Sequence, residues 1–176
     1  MSNESDSLAR ELPALRRFAL ALTRDPSEAE DLVQEALLRG HERRRSLRGG
    51  AQLKSWLFSI LKNCFLDGRR SVKARRIREA EIASLSEQSF DAPQEAAVRL
   101  GQLRGAFLEL PVEQREALSL IALEGLSYAE AARVADIPLG TLMSRVARAR
   151  AALRAFEAGQ PAPSLRLIGG RDAHES

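Results

Sequence analysis

Cysteine and histidine, the side chains that most often hold metals in small proteins, are scarce in this chain of 176 residues. Cys64 is the only cysteine, and His41 and His174 are the only histidines. One cysteine excludes a disulfide within the chain and a zinc site built on several thiolates, and two distant histidines do not make a metal cluster. We therefore expect neither a bound metal nor a cofactor.

Long apolar runs are also missing. The residues that follow Met1 are polar and acidic, and no stretch approaches the roughly 20 apolar residues that cross a bilayer. The sequence therefore predicts a cytoplasmic protein with neither a signal peptide nor a membrane helix.

The motifs of common enzyme classes are absent as well. The sequence has no phosphate-binding glycine loop, no HExxH pair and no plausible catalytic triad, and Gly49-Gly50 lacks the strand and helix of a nucleotide fold. We predict that the chain is not an enzyme.

Charge is present in quantity, and its distribution is uneven. The net charge is only +3, yet residues 36–80 carry thirteen Lys and Arg against three acids. Residues 1–35 carry eight acids against four Arg, and residues 81–116 carry seven against three. An acidic block suits a basic protein partner and a basic block suits a polyanion, although solvated faces would give the same pattern.

Apolar residues recur at helical spacing throughout, and strand signals are nearly absent, so we predict an all-α protein. A polar stretch with Ser84, Ser86, Ser89 and Pro93 divides it into two small helical domains. The expected divisions are a first domain over 8–80, a linker over 81–95, a second domain over 96–157 and a flexible tail over 158–176.

Capping residues locate several helix ends. Asp25, Pro26 and Glu28 predict the start of a second helix with a capping box, and Gly40 predicts its end near residue 38. Later helices are expected at 98–108 and after Pro111, the latter with Ala117, Leu118, Ile121 and Ala122 facing inward and Gly125 ending it.

Residues 127–154 have the form of a helix-turn-helix. Ser127 and Glu130 predict a capping box at the start of a short helix, and a longer helix follows from about Pro138 to Phe156 without a single acid. Its core side carries Leu142, Val146 and Ala149, and its opposite face carries Thr141, Ser144, Arg145, Arg148 and Arg154. Such a helix fits the DNA major groove, although a solvated bundle helix can have the same composition.

The third helix of the first domain combines aromatic and basic residues, namely Trp56, Phe58, Asn63, Phe65, Arg69 and Arg70. Aromatic rings beside cations suit unpaired bases, and an asparagine amide can read a base edge. Trp56 lies on the apolar stripe of Leu57, Ile60 and Leu61, so we interpret it as a core residue. Phe58 lies off that stripe and is expected to be available for function.

The second helix carries a polar face formed by Asp31, Gln34 and Glu35. Asp31 and Glu35 are four residues apart and therefore neighbours on the helix surface. This face could dock on a basic protein surface.

Several segments together resemble the bacterial sigma factors of the sigma-70 family. Residues 29–35 (AEDLVQE) are similar to the second conserved region, and residues 56–63 (WLFSILKN) to the helix that melts the promoter and reads the minus-ten element. Leu110-Pro111, Gln114-Arg115, residues 125–132 and residues 138–150 resemble the fourth region. The resemblance covers roughly residues 12–156, and the short linker is similar to that of the extracytoplasmic-function (ECF) group.

The resemblance implies a non-catalytic transcription-initiation factor whose partners are core RNA polymerase (the beta-prime coiled coil and the beta flap), promoter DNA and an anti-sigma factor. Asp31, Gln34 and Glu35 match polymerase-binding positions. Asn63, with the loop 43–52, matches positions that capture a flipped minus-ten base, and Trp56, Arg69 and Arg70 belong to the same element. Thr141, Met143, Ser144, Arg145 and Arg148 match the helix that reads the minus-thirty-five element.

Met143 departs from the family, because Lys or Arg is frequent at this position. Methionine cannot donate a hydrogen bond to guanine or phosphate, although it can touch a thymine methyl group. Two other functions stay open: a sigma mimic that sequesters an anti-sigma factor, and a helix-turn-helix regulator that binds a palindrome without polymerase.

Overall fold

A computed structural model describes residues 2–43, 53–76 and 95–159, and these segments are helical apart from short turns. The helices are α1 (Ser2–Thr23), α2 (Pro26–Glu42), α3 (Leu53–Arg76), α4 (Glu95–Glu109), α5 (Val112–Leu118), α6 (Tyr128–Ala135) and α7 (Leu139–Glu157). A π-helical segment, Ser119–Leu123, continues α5. The expected all-α class with two helical domains is confirmed.

The N-terminal half packs α1, α2 and α3 around one apolar core. Leu15, Phe18 and Leu22 of α1 are buried, as their helical spacing predicts. Phe58 of α3 is fully buried and its ring centroid lies 5.0 Å from that of Phe18. The prediction that Phe58 is free for function is therefore wrong: α1, α2 and α6 all pack on α3, so its buried surface is wider than one stripe.

Asp25 and Gly40 were expected at the two ends of α2. The Asp25 side chain accepts a hydrogen bond from the Glu28 amide at 2.8 Å, so the predicted helix start is confirmed. The Asp25 amide donates to the Thr23 hydroxyl at 3.4 Å and not to the Glu28 side chain, so the predicted capping box is only half formed. Gly40 does not end the helix, which continues to Glu42. A Cβ on Gly40 would lie 3.3 Å from the Leu57 side chain, so glycine here permits the close approach of α2 and α3.

The C-terminal half contains the predicted helix-turn-helix. Ser127 and Glu130 form both bonds of a capping box at the start of α6, and Asp136 adopts a left-handed conformation at its end. Leu142, Val146 and Ala149 of α7 face the core, as predicted. The sequence thus located this motif correctly at both of its helices.

The π-helical segment buries different side chains from those that a continuous α-helix would bury. Ala117 and Leu118 are buried as expected, but Ala122 is exposed and Leu120 is fully buried instead. A π turn holds more residues than an α turn, so it rotates the positions that follow. The expected inward position of Ala122 is therefore wrong.

The two halves pack directly on each other: α3 contacts α6, and α1 contacts α5 and the π-helical segment. Arg115 of α5 is buried at this boundary and donates to the carbonyl oxygens of Ala21 at 2.6 Å and Leu22 at 3.2 Å. It also donates to the carbonyls of Leu108 (3.1 Å) and Leu110. One guanidinium therefore satisfies carbonyls at the ends of α1 and α4, where the last carbonyls have no partner within their helix.

Candidate functional site

The exposed face of α7 carries most of the residues predicted to read duplex DNA. Thr141, Met143, Ser144 and Arg148 are all exposed. The Ser144 hydroxyl donates to the Gly140 carbonyl at 3.1 Å, so it is held against its own helix. With no acid before Glu157, this face is cationic over most of its length and suits phosphate groups.

Arg145 differs from its neighbours on α7 because it is only partly exposed and points toward the N-terminal half. It lines a cavity of about 290 Å³ between the halves. Asn63 and Arg69 of α3 line the same cavity. The structure therefore brings a residue expected at the minus-thirty-five element close to two residues expected at the minus-ten element.

Asn63 is exposed on α3, as a base-reading residue requires. Beyond it, the Arg69 guanidinium lies 5.6 Å from the centroid of the Phe65 ring, which is a cation–π distance. Trp56 is half-buried against the core, in accord with its interpretation as mainly a packing residue. This part of α3 offers an amide, an aromatic ring and a cation on adjacent turns.

Lys62, next to Asn63, was not among the predicted site residues. It is buried, its Nζ lies 2.8 Å from Glu116 Oε1, and it donates to the Ala135 carbonyl at the end of α6. Burial raises the pKa of Glu116, while the positive charges of Lys62 and Arg145 act in the opposite direction. No local sequence pattern predicts this pair, since its members lie on separate halves.

The predicted polymerase-docking face of α2 is accessible. Asp31, Gln34 and Glu35 are exposed. Arg39 donates to Glu35 at 2.6 Å and to Asp67 of α3 at 2.8 Å, and the hydrogen bond with Asp67 is the main cause of a raised Arg39 pKa. Arg39 thus fixes Glu35 beside α3, whereas Asp31 and Gln34 lie free of that ion pair.

A second surface of the C-terminal half is apolar. Val98 and Leu100 of α4 and Phe156 of α7 are about half exposed or more. Between α4 and α7 lies a groove of about 750 Å³ lined by Ala106, Leu153 and Phe156 among others. α4 therefore buries little of its apolar surface in the core, although its apolar periodicity predicts a packed helix.

Two predicted parts of the site lie outside the described residues. These are most of the loop 43–52, of which only Arg43 is described, and the side chain of Arg70. None of the helices that the structure describes is long and apolar enough to cross a membrane.

Comparison with known proteins matches both halves. The family described as Sigma-70 region 2 matches residues 8–76, and the family described as Sigma-70, region 4 matches residues 100–153. These ranges contain α3 with Asn63 and the helix-turn-helix with α7, respectively.

Relatives with curated names match over most of their length. The ECF RNA polymerase sigma factor EcfG of Rhodopseudomonas palustris is 37% identical over 151 residues, which are 86% of this chain and 83% of EcfG. SigM of Bacillus subtilis, also an ECF sigma factor, is 35% identical and the match covers 80% of this chain and 86% of SigM.

A solved structure matches both halves together. The sigma factor RpoE of Bartonella quintana, in complex with the anti-sigma factor NepR, has 34% identity and a TM-score of 0.78. The superposition covers 90% of this chain and 98% of RpoE.

Proposed function

The chain belongs to the sigma-70 family of RNA polymerase sigma factors, within its ECF group, and we propose that it confers promoter recognition through two separate DNA-reading surfaces. The first surface is the exposed part of α3 around Asn63, and the second is the exposed face of α7 around Met143 and Arg148. The chain itself catalyses nothing and acts in the cytoplasm with core polymerase, which makes the RNA.

One observation carries this proposal: the two halves expose chemically different surfaces suited to two states of DNA. On α7, hydroxyl, methionine and arginine side chains project from the second helix of a helix-turn-helix, the element that enters a major groove. On α3, Asn63 lies within reach of the Phe65–Arg69 pair, which suits a base that has left its stack.

Asp31, Gln34 and Glu35 supply the polymerase contact in this account. They are exposed and close together on α2, so this face is accessible to a protein partner. The apolar groove between α4 and α7 supplies a second contact with polymerase, of the kind that an amphipathic helix makes.

An anti-sigma factor is the expected regulator. RpoE of B. quintana is held by NepR in the structure that superimposes on both halves of this chain. The similar arrangement of the halves supports a partner of the same class here.

Transcription with purified components tests the proposal. Core polymerase and fragmented host DNA are incubated with the chain, and the 5′ ends of the transcripts are sequenced. We expect a small set of start sites that share two upstream elements at a fixed spacing. Start sites identical to those of core polymerase alone would contradict the proposal and favour a sigma mimic.

Two variants separate the two surfaces. Asn63→Ala should reduce open-complex formation on duplex promoters and retain initiation on templates that are already unpaired at the minus-ten element. Arg148→Ala should weaken binding to the upstream duplex element. Because one phosphate contact is lost, the affinity of the variant should also fall less steeply as the salt concentration rises. The exposed Arg104→Ala on α4 is the control and should leave both steps unchanged. Binding of the chain to a palindrome without polymerase would instead indicate an ordinary regulator.

A further inference from the structure

The first turns of α7 expose two large apolar side chains. Leu139 is 47% exposed and Met143 is 53% exposed. They are four residues apart, so they are neighbours on the helix surface. The buried residues of α7 are Leu142, Val146 and Ala149, which face the core instead. We name Leu139 and Met143 the exposed apolar pair.

Cations border the face of α7 that carries Met143. Arg148 and Arg150 are both exposed. Successive residues lie about 100° apart around a helix axis, so these two arginines project from opposite sides of α7. No acid occurs between Leu139 and Phe156. Two phosphate backbones border a DNA groove, so cations on both sides of the helix favour a DNA duplex as the partner of this face.

The chemistry of Met143 limits what it can recognise in a groove. A methionine side chain has no hydrogen to donate, and its thioether sulfur accepts only weakly. The hydroxyl of its neighbour Ser144 donates to the Gly140 carbonyl at 3.1 Å, so that proton is already used. Thymine presents a methyl group in the major groove, which apolar side chains contact. The flexible, polarisable methionine side chain is well suited to cover such a group.

Gly140 adds an independent observation on the same face. It is exposed, and within the described part of the chain nothing lies within 4 Å of a Cβ built there. Packing of the described residues therefore does not require glycine, which is a poorer helix former than alanine. A missing side chain does allow the backbone to approach a ligand closely. Glycine at this position lets the first turn of α7 bring the exposed apolar pair close to base edges.

We propose that Met143, supported by Leu139, reads the methyl group of a thymine in the upstream promoter element. This inference rests on the proposed function, because it requires α7 to lie in a major groove. It assigns base selection at one position to an apolar contact and not to a hydrogen bond. Burial of one methyl group corresponds to about fourfold in affinity, so its removal should weaken binding by about this factor.

Deoxyuridine tests the proposal, because uracil lacks only the methyl group of thymine and keeps its hydrogen-bonding groups. A promoter found by the transcription experiment above is synthesised with deoxyuridine at each thymine of the upstream element in turn. Binding of the complex between the chain and core polymerase is then titrated. We expect one substitution to weaken binding by the native chain about fourfold. In Met143→Ala the same substitution should change the affinity less than about 1.5-fold, because the contact is already lost.

Leu123→Ala is the matched control. Leu123 is 52% exposed and lies outside α7, so this variant loses a similarly exposed apolar side chain but should keep the full response to deoxyuridine. An unchanged affinity of the native chain at every deoxyuridine position would overturn the inference, and so would equal losses in the native chain and Met143→Ala. An upstream element without thymine on either strand would also overturn it. Failure to select any promoter would overturn the proposed function as well.

Met143→Arg tests the chemistry in the opposite direction. Arginine donates hydrogen bonds to guanine O6 and N7, whereas methionine cannot. In a selection from promoters with a randomised upstream element, the variant should enrich guanine at or beside the position where the native chain enriches thymine. Enrichment of thymine to the same degree by both chains would contradict the role of Met143.

Discussion

Among single residues, Asp31 gives the sharpest test of polymerase docking. Its carboxylate is exposed on α2 and lies outside the Glu35–Arg39–Asp67 ion pairs. Asp31→Arg places a positive charge opposite the basic surface proposed for the partner. We therefore expect the affinity for core polymerase to fall about tenfold, which corresponds to a loss of about 1.4 kcal/mol in binding free energy. Titration of labelled chain with core enzyme measures this change.

The control for this charge reversal is Glu157→Arg, at an exposed position on the last turn of α7. It changes the net charge by the same amount and should leave the affinity within about twofold. Equal losses for both variants would mean that net charge governs binding, and the docking face would lose its support.

Cys64 reports on the core of the N-terminal half. The thiol is buried, and this burial raises its pKa above the ordinary value of 9.0. A raised pKa leaves less reactive thiolate, so the folded chain should react with iodoacetamide at least about tenfold more slowly at pH 8 than the urea-unfolded chain. The folded rate should still increase beyond about pH 10, where ionisation of the unfolded thiol is nearing completion. Equal rates would contradict the packing of α3 described above.

Residue exposure was only partly predictable from the sequence. Asn63, Asp31 and Arg148 are accessible as expected, because each lies opposite a clear apolar stripe. Phe58 was misjudged because a stripe on one helix reveals only one packing partner, and α3 has several. Lys62 was missed for a similar reason: its partner Glu116 belongs to the other half.

At the element scale, Gly40 governs the packing of α2 on α3. Gly40→Val would place a branched side chain where even a Cβ lies 3.3 Å from Leu57, so we expect the free energy of unfolding to fall by about 1–3 kcal/mol. Urea denaturation followed by circular dichroism measures this loss.

Gly68 is the matched position on α3. No described atom lies within 4 Å of a Cβ built there, so Gly68→Val should change the stability by less than about 0.5 kcal/mol. Similar losses at Gly40 and Gly68 would contradict the role of close approach at Gly40, because valine has a higher helix propensity than glycine at both positions.

Helix starts were predicted better than helix faces. Asp25 and Ser127 both accept the expected amide at N-terminal ends, because capping depends on three or four consecutive residues. The inward-facing residues predicted for the helix after Pro111 are wrong at Ala122, because nothing in the sequence distinguishes a π turn from an α turn. The same segment leads to Glu124, which binds Arg17 and Lys54 across the boundary.

At the scale of the whole molecule, Arg115 joins the two halves into one folding unit. Arg115→Ala would leave carbonyls of Ala21, Leu22, Leu108 and Leu110 without this donor, so we expect a loss of about 2–4 kcal/mol. Trp56, the only tryptophan, reports on the N-terminal half, and circular dichroism reports on all helices.

In the native chain the two signals should change together during urea unfolding, whereas in Arg115→Ala they should separate into two transitions. The exposed Arg104→Ala should keep a single transition. Coincident signals in the Arg115 variant would show that the apolar contacts alone couple the halves.

The packing between the halves could not have been predicted from the sequence. Two helical domains and a linker follow from periodicity and composition, but Arg115 contacts carbonyls more than 90 positions away in the chain. Backbone carbonyls carry no sequence signature. An arginine shortly after a Leu-Pro pair is as typical of an exposed position as of a buried one. The family resemblance implies the order of the two halves along the chain but not the contact between them.

Photo-cross-linking within the initiation complex can show whether one half reads unpaired DNA and the other half reads paired DNA. A photoreactive amino acid replaces Leu66, one turn after Asn63, or Ala147, beside Arg148, so that the reading residues themselves are kept. We predict that position 66 cross-links to bases that are permanganate-sensitive, and that position 147 cross-links to an upstream duplex that is not. Cross-links from both positions to the same DNA segment, or to polymerase alone, would contradict the account.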